Sequence, residues 1–175
     1  GDDNIVPLVE TVVEDGKLKV RWTERNINAS YKELKLVVDA KTMESVSVAG
    51  SGDVVAETLN AKKFSANVAG SGDVRVRNLT AESVSAKIAG SGDVELGGKA
   101  GSLECKISGS GDIKADNLET KSSSVSIAGS GNVSLWAVES LKVSVAGSGD
   151  VRYYGDPQIS KSVAGSGNVK RLGKA

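Results

Sequence analysis

Histidine is absent from this 175-residue chain, and with it the commonest general base and the commonest side-chain ligand for a transition metal. Most hydrolase mechanisms lose their first candidate residue. Aromatic residues make up only 3% of the chain, so a core has to be filled by Val, Ile, Leu and Ala in thin, regular layers. The single cysteine, Cys105, cannot form an internal disulfide, and burial rather than cross-linking has to stabilise the fold. Neither sign of charge is in excess: 22 Lys and Arg balance 22 Asp and Glu. Without a net field, neither nucleic acid nor an anionic bilayer is expected as a partner. No apolar run approaches the ~20 residues of a membrane-spanning helix. The start, Gly1-Asp2-Asp3, lacks the basic and hydrophobic parts of a targeting segment, so a signal segment is expected to be absent from this chain.

What the chain has in abundance is one tetrad. It recurs at Gly50-Ser51-Gly52-Asp53, Gly70-Ser71-Gly72-Asp73, Gly90-Ser91-Gly92-Asp93, Gly109-Ser110-Gly111-Asp112, Gly129-Ser130-Gly131-Asn132, Gly147-Ser148-Gly149-Asp150 and Gly165-Ser166-Gly167-Asn168. The first glycines are spaced by 20, 20, 19, 20, 18 and 18 residues. A period sustained over this many copies marks a solenoid, in which each coil buries its face on the next.

Alignment on the first glycine exposes a strand-like alternation. Two residues before it stand Val48, Val68, Ile88, Ile107, Ile127, Val145 and Val163; four before it stand Val46, Ala66, Ala86, Cys105, Val125, Val143 and Lys161. The intervening column is polar: Ser47, Asn67, Lys87, Lys106, Ser126, Ser144 and Ser162. After the tetrad, Val54, Val74, Val94, Ile113, Val133, Val151 and Val169 resume the inward face, and Leu59, Leu79, Leu118 and Val138 are expected to close a third side. The pattern predicts an all-β fold, a single-stranded parallel β-helix of about 18–20 residues and two or three strands per coil, roughly 30 Å long and right-handed by the general preference of parallel connections.

The expected organisation is one solenoid domain over 2–175. Residues 5–40 read as atypical first coils, with Leu18, Val20 and Trp22 alternating with Lys17, Lys19 and Arg21, and with Leu34–Val38 as a further strand. Seven tetrad coils fill 41–172. Lys161 and Arg171 interrupt inward columns near 161–175, as expected of a polar cap that faces water.

Two glycines per corner allow positive φ and close backbone approach, and Asp or Asn after them can bond the backbone locally. Four stacked carboxylates, Asp53, Asp73, Asp93 and Asp112, repel by about 1 kcal/mol per neighbouring pair in water, so backbone N–H groups or a cation must compensate. Calcium is the alternative to a structural turn, but the glycine-rich nonapeptide of calcium solenoids is missing, and no metal or other cofactor is predicted. The same spacing comes near that of a retaining glycosidase pair, yet the column is uniform where a catalytic site is single. Two positions past the Asp/Asn, Arg75, Glu95 and Lys114 read as a solvated charge ladder. Four positions past it, Trp136, Tyr154 and Leu172 are predicted to form an exposed apolar strip on three consecutive coils. The strip is a candidate contact for a sugar ring, a surface protein or another copy of the chain; its alternative role is simple cover for the last coils. Cys105 falls in an inward column and reads as a small core residue.

The segments Val13–Val20 and Met43–Val54, with the tetrads that follow, resemble the family described as putative auto-transporter adhesin, head GIN domain, common in Gram-negative gut bacteria rich in surface lipoproteins. The likeness covers most of the chain, although family members usually begin with further coils and an earlier glycine-rich turn. It implies a secreted, periplasmic or cell-surface β-helical domain that adheres or displays, with no established catalytic residues to carry over. The resulting expectation is a non-enzymatic adhesin-like domain. A pectin-lyase-like enzyme and a purely structural spacer are the alternatives.

Overall fold

The computed structural model describes residues 6–23, 35–38, 40 and 42–173. The chain divides into two compact units, Gly1–Ala40 and Lys41–Ala175.

In the first unit a single 3-10 turn, Val6–Leu8, leads into an antiparallel hairpin of β1 (Val9–Glu14) and β2 (Lys17–Trp22). Asp15 and Gly16 form its two-residue turn with φ of 50° and 72°, the positive values that match such a turn to the twist of its strands. Val9, Thr11 and Val13 lie opposite Trp22, Val20 and Leu18 on one face. On the other, Arg21 donates to Glu10 at 2.7 Å and Lys19 pairs with Glu14. Over 9–22 the chain is thus a hairpin and not the expected solenoid coils: coils pair in parallel, and Asp-Gly sends this chain straight back antiparallel; the rest of the expected coils, over 24–34, lies outside the described residues. The strand expected at Leu34–Val38 is also corrected. Leu34 lies outside the described residues, and Lys35–Val38 are exposed and join no ladder among the described residues.

The second unit is a parallel β-solenoid of about seven turns. Its strands are β3 (Ser45–Gly50), β4 (Val54–Gly70), β5 (Val74–Gly90), β6 (Val94–Gly109), β7 (Ile113–Gly129), β8 (Val133–Gly147), β9 (Val151–Tyr154), β10 (Gln158–Gly165) and β11 (Val169–Gly173). Instead of two or three separate strands per coil, one bent strand of 15–17 residues runs from tetrad to tetrad in β4–β8. Only the last coil is cut, at Gly155-Asp156-Pro157, into β9 and β10.

The register stacks equivalent residues: Gly50 lies beside Gly70, Gly70 beside Gly90, and so on to Gly165. Val48, Val68, Ile88, Ile107, Ile127 and Val145 are accordingly buried, as are Val74, Val94, Ile113, Val133 and Val151 beyond the tetrad. Each such side chain removed from water is worth about 1.5–3 kcal/mol. Because it packs only on the coils above and below, the core grows by repetition. A further inward column, six residues before the tetrad, holds Phe64, Val84, Leu103, Ser123 and Leu141, all buried.

On the third side Leu59, Leu79, Gly98 and Leu118 fall in line. Val138 does not: it is 46% exposed. The ladder between β7 and β8 jumps after Ala115, setting Trp136 beside Glu119 and Ala137 beside Thr120, so the shorter coil closes its corner three residues early and regains one after Thr120. Ala137 takes the inward place and Val138 is left outside it. In the last coil Lys161 pairs in register with Val143 and Arg171 with Tyr153. Both are exposed, and Arg171 reaches Asp156 at 3.0 Å.

Candidate binding surfaces

The two glycines of the tetrad perform different tasks. At Gly90, φ is +138°, a region closed to most L side chains, and a Cβ there meets the Gly70 carbonyl oxygen at 2.3 Å. At Gly92 no unusual φ is needed, but a Cβ would stand 2.0 Å from the Gly72 oxygen and 2.8 Å from Val68 Cγ1. The first glycine turns the corner; the second lets its own coil settle onto the preceding one. Between them the Gly50 carbonyl accepts two N–H groups of the coil above, from Ser71 at 2.8 Å and Gly72 at 2.9 Å.

The Asp/Asn column is a hydrogen-bonded ladder. Oδ1 of Asp53 accepts from the N–H of Asp73 at 3.0 Å, Asp73 from Asp93 at 2.9 Å, Asp93 from Asp112 at 3.0 Å and Asp112 from Asn132 at 2.8 Å. Asn132 and Asp150 continue it, accepting from Asp150 and Asn168 at 3.0 and 2.9 Å. Backbone N–H groups thus supply the compensation that stacked carboxylates require. The two asparagines also break the run of charge, since Asn132 Nδ2 donates to Asp112 at 3.1 Å and Asn168 Nδ2 to Asp150 at 3.3 Å. Lys114 donates to the second oxygen of Asp93 at 3.0 Å. Hydrogen bonding to that carboxylate, and its charge, raise the Lys114 pKa. Among the described residues no three His, Cys, Asp or Glu side chains converge as metal ligands.

In the charge ladder Arg75 Nε donates to Glu95 at 2.6 Å, a hydrogen bond that raises the arginine pKa further. Lys114 turns to Asp93 and not to Glu95.

Cys105 is buried, and that burial pushes its thiol up to about 12. In the unfolded chain the thiol ionises near its ordinary value of 9.0, so above that pH the unfolded state gains stability that the folded state cannot match until pH reaches about 12. Stability is therefore expected to be complete below pH 9.0 and to fall between there and about 12, with the fall reduced in Cys105→Ala. Denaturant titration across that range measures it. Native Cys105 is likewise expected to resist thiol reagents at neutral pH.

On the outer side, Trp136 and Tyr154 are direct neighbours in the parallel ladder of β8 and β9, both partly exposed. Leu172 does not join them. The ladder of β11 on β9 skips from Arg171 to Gly173, which places Gly173 beside Tyr154 and bulges Leu172 out of the column at 42% exposure. The predicted three-coil strip is thus corrected to an aromatic pair. The pair sits on the register jump, and the jump is fastened from within. Thr120, 1% exposed, donates to the Trp136 carbonyl oxygen at 2.7 Å and shares a 2.7 Å hydroxyl contact with Ser123. These are the two buried polar side chains among the described residues, and both stand where other coils carry Ala and a large apolar residue.

A second outer surface lies on the other side of the tetrads, at the positions one, three, five and seven residues before each first glycine. The three-residue column had been visible as the polar partner of the core alternation. Its neighbours had not, because the corner that ends the face is invisible without the register. Most residues on it are Ser or Ala, with Met43, Asn67 and Gln158 among them; its charges are Lys63, Lys87, Lys106, Lys142 and Glu104. A shallow, open groove of about 550 Å³ crosses five coils here. Lys106 pairs with Glu104 at 2.7 Å, and that hydrogen bond holds the Glu104 carboxyl below its ordinary pKa despite partial burial.

The family described as putative auto-transporter adhesin, head GIN domain, matches residues 1–157. A crystal structure of a putative adhesin from Bacteroides fragilis is 31% identical, with a TM-score of 0.91 over 98% of this chain and 80% of that one. A putative adhesin from Parabacteroides distasonis is 25% identical, with a TM-score of 0.79 over 98% of this chain and 81% of that one. A putative lipid binding protein from the same species is 26% identical, with a TM-score of 0.75 and the same coverage. No match is found among curated proteins. With nine-tenths of its residues inside the family's bounds and its tetrad coils stacked as one parallel solenoid, the chain belongs to the putative auto-transporter adhesin, head GIN domain family.

Proposed function

We propose that this chain is a non-catalytic binding domain of a secreted or cell-surface adhesin, and that it holds a glycan or a surface protein through the outer side of its solenoid. The observation that carries the reading is the Trp136–Tyr154 pair: two of the chain's few aromatic residues, in register on adjacent coils and partly open to solvent, at the point where the repeat breaks. Adjacent rings offer a sugar or an apolar side chain a rigid surface at little entropic cost. Family membership and the adhesin descriptions of the structural relatives support the same class of role. The ladder carboxylates favour it over an enzyme, because each is engaged with the N–H of the next coil.

Glycan-array binding, with mass photometry for self-association, tests the reading. Trp136→Ala is expected to weaken ligand binding, or to dissociate an oligomer, by about tenfold, the cost of removing one well-packed aromatic anchor. Unchanged binding and unchanged mass in Trp136→Ala would rule this surface out.

A further inference from the structure

We propose a second site, independent of the aromatic pair: the serine-floored face before the tetrads binds an extended acidic polysaccharide through Lys87 and Lys106. Three observations converge on it. First, charge is segregated: a chain with no net charge places four lysines and one glutamate on this face. Second, the cations are available. Among the described residues Lys63, Lys87 and Lys142 make no direct ion pair, Lys106 is held only by Glu104, and Lys87 acts on the same carboxylate through space alone. Lys87 and Lys106 stand side by side on β5 and β6, so their ammonium groups rise from neighbouring coils. Third, the shape suits a ribbon. The groove runs across five coils between Ser47 and Ser126, and its outward side chains besides the lysines are Ser, Ala and Asn, which leave no steric barrier along the solenoid axis.

These features select the occupant. Carboxylates spaced along a stiff chain complement cations on successive coils, and coils about 4.8 Å apart advance by about one sugar ring of an extended polymer. Ring hydroxyls match the Ser and Asn side chains that alternate with the core. A lipid acyl chain requires a deep slot that encloses it, whereas this groove is shallow and open along its length, with apolar Val, Ile and Ala between its Ser, Asn and Lys side chains. Because both lysines are solvent-exposed, the attraction is screened by salt.

The test is affinity electrophoresis and calorimetry of the intact chain with polygalacturonate as probe, amylose as neutral control and phosphatidylserine vesicles as the competing anionic surface. Polygalacturonate is expected to bind and amylose not, with affinity falling as salt is raised. Lys87→Gln combined with Lys106→Gln is expected to weaken binding roughly tenfold, as two lost exposed ion pairs allow. Glu104→Gln is expected to strengthen binding by releasing Lys106, and Trp136→Ala to leave it unchanged. Lys87 and Lys106 are exposed, and a melting temperature of the double lysine variant within about 2 °C of the parent will show that the fold is retained. The proposal is overturned if the chain ignores polygalacturonate, if amylose binds as well, if the double lysine variant binds undiminished, or if vesicles bind where polygalacturonate does not. Loss of polygalacturonate binding in Trp136→Ala would instead assign the sugar to the aromatic pair.

Discussion

Gly92→Ala is expected to lower the melting temperature of the solenoid by about 6–12 °C, the consequence of about 3 kcal/mol of destabilisation in a chain of this size. The added methyl would stand 2.0 Å from the Gly72 carbonyl oxygen and 2.8 Å from Val68 Cγ1. The first is backbone and cannot rotate aside, so the two coils must separate at the corner. Their separation lengthens the bonds by which Ser91 and Gly92 donate to the Gly70 carbonyl, now 2.8 and 3.1 Å. Gly52→Ala is the control. It makes the same change in the same motif, yet nothing lies within 4 Å of its Cβ and its φ is ordinary. Its melting temperature is expected to stay within about 2 °C of the parent. Equal losses in the two variants would show that conformational freedom, and not the approach of the coil below, sets the need for the second glycine.

Asp93→Ala is expected to cost about 1.5 kcal/mol in denaturant unfolding, whereas Asp93→Asn costs a few tenths. The alanine variant removes the acceptor of the Asp112 N–H and the partner of Lys114 together. Asparagine retains Oδ1, and at Asn132 and Asn168 the chain already uses that residue in the same column, with Asn132 accepting from Asp150. The comparison also separates a structural ladder from a calcium site. A ladder tolerates asparagine and shows no shift of melting temperature with added calcium. A calcium site requires the carboxylate charge and is stabilised by the ion.

The hairpin at Asp15-Gly16 shows how a legible local signal can be outweighed. Asp-Gly between alternating strands is among the strongest marks of a tight antiparallel turn. The dominance of the repeat nevertheless favoured reading the preceding and following residues as coils. The missed inward column of Phe64, Val84, Leu103, Ser123 and Leu141 failed for a different reason. Its alternation is interrupted by Ser123, and its outer ends are Glu44 and Ile159, so no single coil announces it. Only stacking identifies Ser123 as an inward residue, bonded to Thr120 in an otherwise apolar interior.

The aromatic pair was found by counting residues from the tetrad, which works while coils are equal in length. Trp136 and Tyr154 have the same offset, in coils of 18 residues, and they do meet. Leu172 has that offset too, but the β11 ladder skips it. Counting has no means of seeing such a bulge, because the backbone of the neighbouring coil decides it.

By itself, then, the amino-acid sequence determined the solenoid, its period, the corners, and the inward columns beside each tetrad. These follow from turn chemistry and period-two alternation, which act over a few residues and repeat until chance is excluded. The tertiary structure alone decided which tetrads are crowded by a coil below, which N–H each carboxylate receives, where the coil register jumps beneath Trp136, and that four lysines share one serine-rich face. Each of these depends on what lies one coil away, about 20 residues distant in the chain but about 4.8 Å distant in space.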